Sequence, residues 1–68
     1  MFMNWLARFG YKVLLTDEIR TAFINDSFIV IAFDDCITIE RISGEEYYRL
    51  EYANKEFMNR VCAILDLR

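Results

Sequence analysis

The clearest pattern of apolar and polar positions lies in the middle of the chain. Ser27 to Phe33 (SFIVIAF) is rich in β-branched and aromatic residues, Asp34 and Asp35 interrupt it, and Cys36 to Ile42 (CITIERI) alternates apolar with polar. Two such runs separated by two acids predict a β-hairpin. If Asp34-Asp35 is a two-residue turn, directly opposed residues share a face. One face then carries Ala32 with Ile37, Val30 with Ile39 and Phe28 with Arg41. The other carries Phe33 with Cys36, Ile31 with Thr38 and Ile29 with Glu40. The first face is the more apolar and is the predicted core face.

The same arithmetic extends in both directions. A turn at Ser43-Gly44 pairs Ile39 with Tyr48 and Ile37 with Leu50 on the core face, leaving Tyr47, Arg49 and Glu51 opposite. A turn at Asn25-Asp26 pairs Phe23 with Phe28 and Thr21 with Val30, leaving Arg20, Ala22 and Ile24 outside. A one-residue slip at any turn would break this agreement, so Ile19 to Tyr52 reads as an antiparallel meander. Two readings stay open for residues 16–24. Thr16 followed by Asp17 and Glu18 has the form of a helix N-cap with acids in the first turn, while the pairing just described makes the same stretch a strand.

Tyr11 to Leu15 (YKVLL) predicts a further strand, and Phe2 to Phe9 a short helix with Phe2, Trp5, Leu6 and Phe9 on one side and Gly10 at its end. Toward the other terminus Asn54 suits an N-cap, and Phe57, Val61, Ile64 and Leu65 recur at helical spacing. A helix from Lys55 to about Leu67 is expected across the core face. The predicted class is α+β: a four- to five-stranded antiparallel meander packed on a C-terminal helix, with a short N-terminal helix, forming one domain over residues 1–68.

Composition adds a constraint. The chain has 68 residues, of which 56% are apolar, and a domain of this size buries only about 60% of the surface its unfolded chain exposes. The interior is too small for all the apolar side chains, so some are expected to meet another surface. The outer sheet face is where they gather: Ile29, Ile31 and Phe33, with Ile24 and Ile42 at the ends, bordered by Tyr47, Arg20, Glu40 and Arg49. An apolar strip framed by Tyr and Arg has the composition of a protein interface. A symmetric dimer is the simplest way to use it, and strand addition at an edge is a second route. The alternative is that the N-terminal helix, with Trp5 and Phe9, folds over this face within the one chain.

Charge and chemistry narrow the function. Eight Lys+Arg against eleven Asp+Glu give a net charge of −3, the wrong sign for gripping a phosphate backbone, so direct nucleic-acid binding is not expected. With no histidine, the commonest general base and metal ligand is missing. Gly10 and Gly44 stand alone, so no glycine-rich phosphate cradle exists. Cys36 and Cys62 lie outside any metal or redox spacing, and the acids beside Cys36 oppose thiolate formation. No cofactor, metal or catalytic residue is expected. The few cysteines suit a reduced, cytoplasmic setting, or the host cytoplasm for a viral protein. No apolar run is long enough to span a bilayer, and Arg8 alone is too little charge for an interfacial helix.

The acids do cluster in predicted turns. Alternate turns of a meander lie at the same end, which brings Asp17, Glu18, Asp34 and Asp35 together. Such a patch is either ordinary solvated turn chemistry or a mimic of nucleic-acid phosphate presented to a basic, nucleic-acid-binding protein. The expected function is therefore a small non-enzymatic protein that docks on a protein partner, probed by exclusion rather than by motif. A phage-encoded inhibitor of a host defence system such as CRISPR fits, as do an antitoxin and an accessory subunit. The competing class is a small apolar-ligand module with a pocket lined by Phe23, Tyr48, Tyr52 and Phe57.

Overall fold

A computed structural model describes residues 2–66, with side chains from residue 4 onward. In chain order the elements are α1 (Phe2–Ala7), β1 (Lys12–Thr16), β2 (Thr21–Ile24), β3 (Phe28–Ala32), β4 (Cys36–Arg41), β5 (Tyr47–Glu51) and α2 (Phe57–Leu65). The strands form one antiparallel sheet in the order β1-β2-β3-β4-β5. The fold is α+β, as the alternation predicts. The Phe2 side chain and Leu67, both given helical places by the sequence, lie outside the described residues.

The central hairpin has the predicted register, with Phe28 opposite Arg41, Val30 opposite Ile39 and Ala32 opposite Ile37. Its turn is closed by Phe33 N–H donating to the Cys36 carbonyl at 2.8 Å. The β4–β5 pairing also matches, with Ile37 opposite Leu50 and Ile39 opposite Tyr48. Gly44 supplies the positive φ of 81° in that connection, a conformation that costs a residue without a Cβ little.

The β2–β3 register differs from the expectation by two residues: Phe23 opposes Val30, and Thr21 opposes Ala32. The cause is Asn25. Its Oδ1 accepts from the N–H groups of Ser27 and Phe28 at 2.8 and 2.9 Å, and its own N–H donates to the Phe28 carbonyl. Asn25 thus flanks the turn, and Asp26 and Ser27 form it. Because strand side chains alternate with period two, a two-residue shift leaves every side chain on its predicted face.

Residues 16–24 hold a turn and a strand, not a helix. Asp17 Oδ1 accepts from Ile19 and Arg20 N–H groups at 2.8 and 3.0 Å, and Asp17 N–H donates to the Arg20 carbonyl at 3.0 Å. The meander consequently starts its second strand at Thr21 instead of Ile19. At the outer edge, β1 carries an irregularity between Val13 and Leu15 that leaves Leu14 without a register partner.

The helices sit where their caps put them. After α1, Gly10 takes φ 82°, Gly10 N–H donates to the Ala7 carbonyl and Tyr11 N–H to that of Leu6. This is the Schellman pattern, with Leu6 and Tyr11 in its apolar contact positions, and both residues are in the core. α2 starts two residues later than expected. Asn54 Oδ1 accepts from Glu56 N–H at 2.8 Å and so closes the turn preceding the helix instead of capping it.

One core results. Phe23, Phe28, Val30, Ile37, Ile39 and Leu50 from the sheet meet Leu6 and Tyr11 from the N-terminal segment and Val61 and Leu65 from α2. Trp5 and Phe9, in edge-to-face contact at 5.4 Å, pack against the same cluster. Replacing Phe23, 2% exposed, with Ala is expected to cost about 3–5 kcal/mol. Urea titration followed by circular dichroism checks this, and a midpoint unchanged from that of the unaltered chain would contradict the packing described.

Candidate functional site

Because both described helices pack on the core face, the other side of the sheet is bare among the described residues. The alternative in which α1 covers it does not hold: Trp5, Leu6 and Phe9 are committed to the core. Three rows of side chains cross this outer face. Leu15, Ala22, Ile31, Thr38 and Arg49 form one, and Lys12, Ile24, Ile29, Glu40 and Tyr47 the second. Phe33 beside Cys36 and Glu51 begins the third. Apart from Lys12 on the edge strand, the rows pass from apolar on β1–β3 to more polar on β4–β5. The face is therefore an apolar half joined to a charged half.

Within it, Ala22 and Cys36 are buried, Ile24, Ile29, Ile31 and Phe33 are half-buried, and Glu40 and Arg49 are exposed. Tyr47 stands out at 64% exposure. Arg49 is ion-paired with Glu51 two residues along the same strand. Arg20 lies apart from this group, at the β1–β2 turn, 4.0 Å from Asp17. Ile42 is in the β4–β5 connection, exposed at 49%. The predicted strand YKVLL is the sheet edge, and its Val13, Leu14 and Leu15, which the sequence reading does not place on the apolar strip, are exposed by 53%, 60% and 43%. Leu15 extends the apolar half, a placement its alternation in YKVLL could have suggested.

A separate bonding network lies on the core side of β4–β5, in the rows of Phe28 with Arg41 and Ile39 with Tyr48. Arg41 binds Glu46, the Tyr48 hydroxyl donates to the second Glu46 oxygen at 2.8 Å, and the Arg41 guanidinium lies 4.6 Å over the Phe28 ring. The Tyr48 hydroxyl and then Arg41 hold the Glu46 carboxyl below its ordinary value. Asp17 is also lowered, first by the backbone N–H groups of Ile19 and Arg20. Cys36 is buried and its thiol is raised, chiefly by burial and then by Asp35, which is the opposite of an activated thiol.

At the opposite end from the Arg41 network, the β1–β2 and β3–β4 turns come together around a shallow pocket of about 260 Å³. Asp17, Glu18 and Asp34 line it together with Ile19, Arg20, Thr21, Phe23, Ala32, Phe33 and Tyr52. Asp35 is not in the lining; its carbonyl accepts from Tyr52 N–H. The Tyr52 hydroxyl donates to the Phe33 carbonyl at 2.8 Å, and its pKa is raised, first by burial and then by Cys36, Asp34 and Asp35. Of the four aromatic residues expected to line a ligand pocket, Phe23 and Tyr52 do so and Tyr48 and Phe57 do not. Among the described residues, no three Cys, Asp or Glu side chains are arranged to hold a metal ion, and no helix is long and apolar enough to cross a membrane.

Compared with known proteins, the chain matches no family model, no curated protein and no solved structure. The geometry alone carries the functional reading. It offers two features of different chemistry, an open apolar half-sheet and an acidic aromatic pocket.

Two measurements follow. Asp17 and Glu46 have folded pKa values below 3.8 and 4.5, the ordinary values for their types. The stability each contributes is present above the unfolded value and lost as the pH falls through the folded one. Side-chain carboxyl shifts followed by NMR from pH 6 downward should show both titrating below those ordinary values and the fold weakening in the same acid range. Separately, a thiol reagent at pH 8 should label the half-buried Cys62 before Cys36. Faster labelling at Cys36 would contradict its burial.

Proposed function

We propose that this chain is a small non-enzymatic binding protein that uses the bare sheet face as its docking surface, in the first place against a second copy of itself. The observation that carries the reading is the apolar half formed by exposed Leu15 and half-buried Ile24, Ile29, Ile31 and Phe33 around the buried Ala22, on the side of the sheet away from both helices. A two-fold axis through that half stacks the two apolar surfaces on each other and leaves Glu40, Tyr47 and Arg49 at the rim. One self-complementary patch is enough for this, and an apolar centre with a polar rim is the usual anatomy of such contacts.

The dimer is read as a regulator or inhibitor of a protein partner. A phage-encoded inhibitor of a host defence system, an antitoxin and an accessory subunit all use this mode of action, and the cytoplasm is the compartment that two unpaired cysteines suit. The net charge of −3 favours a basic partner over nucleic acid. A pocket for a small apolar ligand has less support, because about 260 Å³ is below the roughly 300–1,000 Å³ of typical ligand sites and its walls are acidic.

Light scattering at micromolar concentration is expected to give the mass of a dimer. Replacing Ile31 with Glu should raise the dimer dissociation constant about 30-fold or more, as for a central anchor worth about 2 kcal/mol, with an unchanged circular dichroism spectrum. A chain that is monomeric before the substitution, or equally dimeric after it, overturns the reading.

A further inference from the structure

We infer that the pocket between the β1–β2 and β3–β4 turns is a receptor for a single arginine side chain presented by a basic protein partner. This rests on the reading of the chain as a protein-binding module and specifies the chemistry of what it binds. The pocket is a cavity with two kinds of wall. Its lining brings the aromatic residues Phe23, Phe33 and Tyr52 together with the acidic residues Asp17, Glu18 and Asp34.

The existing cation does not neutralise it. Arg20 lies against Asp17, whose other oxygen is taken by the Ile19 and Arg20 N–H groups. Glu18 and Asp34 form no ion pair among the described residues. Three carboxylates and one guanidinium leave a net negative lining. An anion is disfavoured by sign. A neutral apolar group would leave the carboxylates unanswered.

Size and shape select among cations. A volume of about 260 Å³ holds one side chain and not a folded ligand. Guanidinium is planar, stacks on aromatic rings and pairs with carboxylates through a fork of N–H groups, whereas an ammonium is a compact, strongly hydrated point charge. The combination of rings and carboxylates in one small cavity matches the first.

The test titrates the isotope-labelled full chain with acetyl-Gly-Arg-Gly-amide, and with the same peptide carrying lysine or neutral citrulline, reading backbone amide shifts. The arginine peptide should move the amides of Glu18 to Thr21 and of Asp34, the lysine peptide less, and the citrulline peptide not at all. Converting Glu18 and Asp34 together to Gln and Asn, both exposed positions outside the turn-closing bonds, should weaken binding roughly threefold to tenfold. No shift with arginine, equal shifts with lysine or citrulline, or unchanged binding by the double variant overturns the assignment. The Ile31→Glu variant separates the two readings. If it loses assembly while the arginine peptide fails on both chains, the pocket falls and the docking face stands; if the peptide binds while assembly is unaffected, the face falls and the pocket stands.

Discussion

Everything in this fold follows from having only one buried layer to share between a five-stranded sheet and two short helices. A sheet has two faces, and covering both requires material on each side. Here α1, of six residues, and α2, of nine, are both consumed on one face, where Leu6, Val61 and Leu65 close over Val30, Ile37 and Ile39. The core is complete, and the second face is left to its own side chains. That is why Ile29 and Ile31 are only half-buried, while the edge strand β1 is exposed along its whole length.

The turns are organised by a single device. Asp17, Asn25 and Asn54 each accept backbone N–H groups from two or three residues ahead through one side-chain oxygen. This is the same bonding that an N-cap residue uses at the start of a helix. From the chain alone the two outcomes cannot be told apart at Asp17, which is why residues 16–24 read equally as helix or strand. At Asn54 the same ambiguity places the start of α2 two residues too early. Local chemistry was legible; which element it serves is decided by the tertiary fold.

Facing was more legible than register. The central hairpin and β4–β5 follow from alternation because each has a turn whose residues identify it. The β2–β3 turn was misplaced, since Asn25 looked like a turn residue and is instead the side chain that closes the turn. The error left the core assignment intact, because the misplacement was by an even number of residues. The pocket was only half visible: the meeting of alternate turns is a consequence of topology, but the arrival of Tyr52 beside Phe33 depends on β5 continuing its pairing to the Asp35 carbonyl, a detail no spacing announces.

The irregularity at Leu14 in β1 has a wider meaning. A long, flat, greasy border strand invites endless head-to-head growth into fibrils. A border interrupted in its hydrogen-bonding rhythm offers a poor template for the next copy. A border broken in this way is guarded against ribbons that lengthen without limit, whatever else the oily side of the sheet meets.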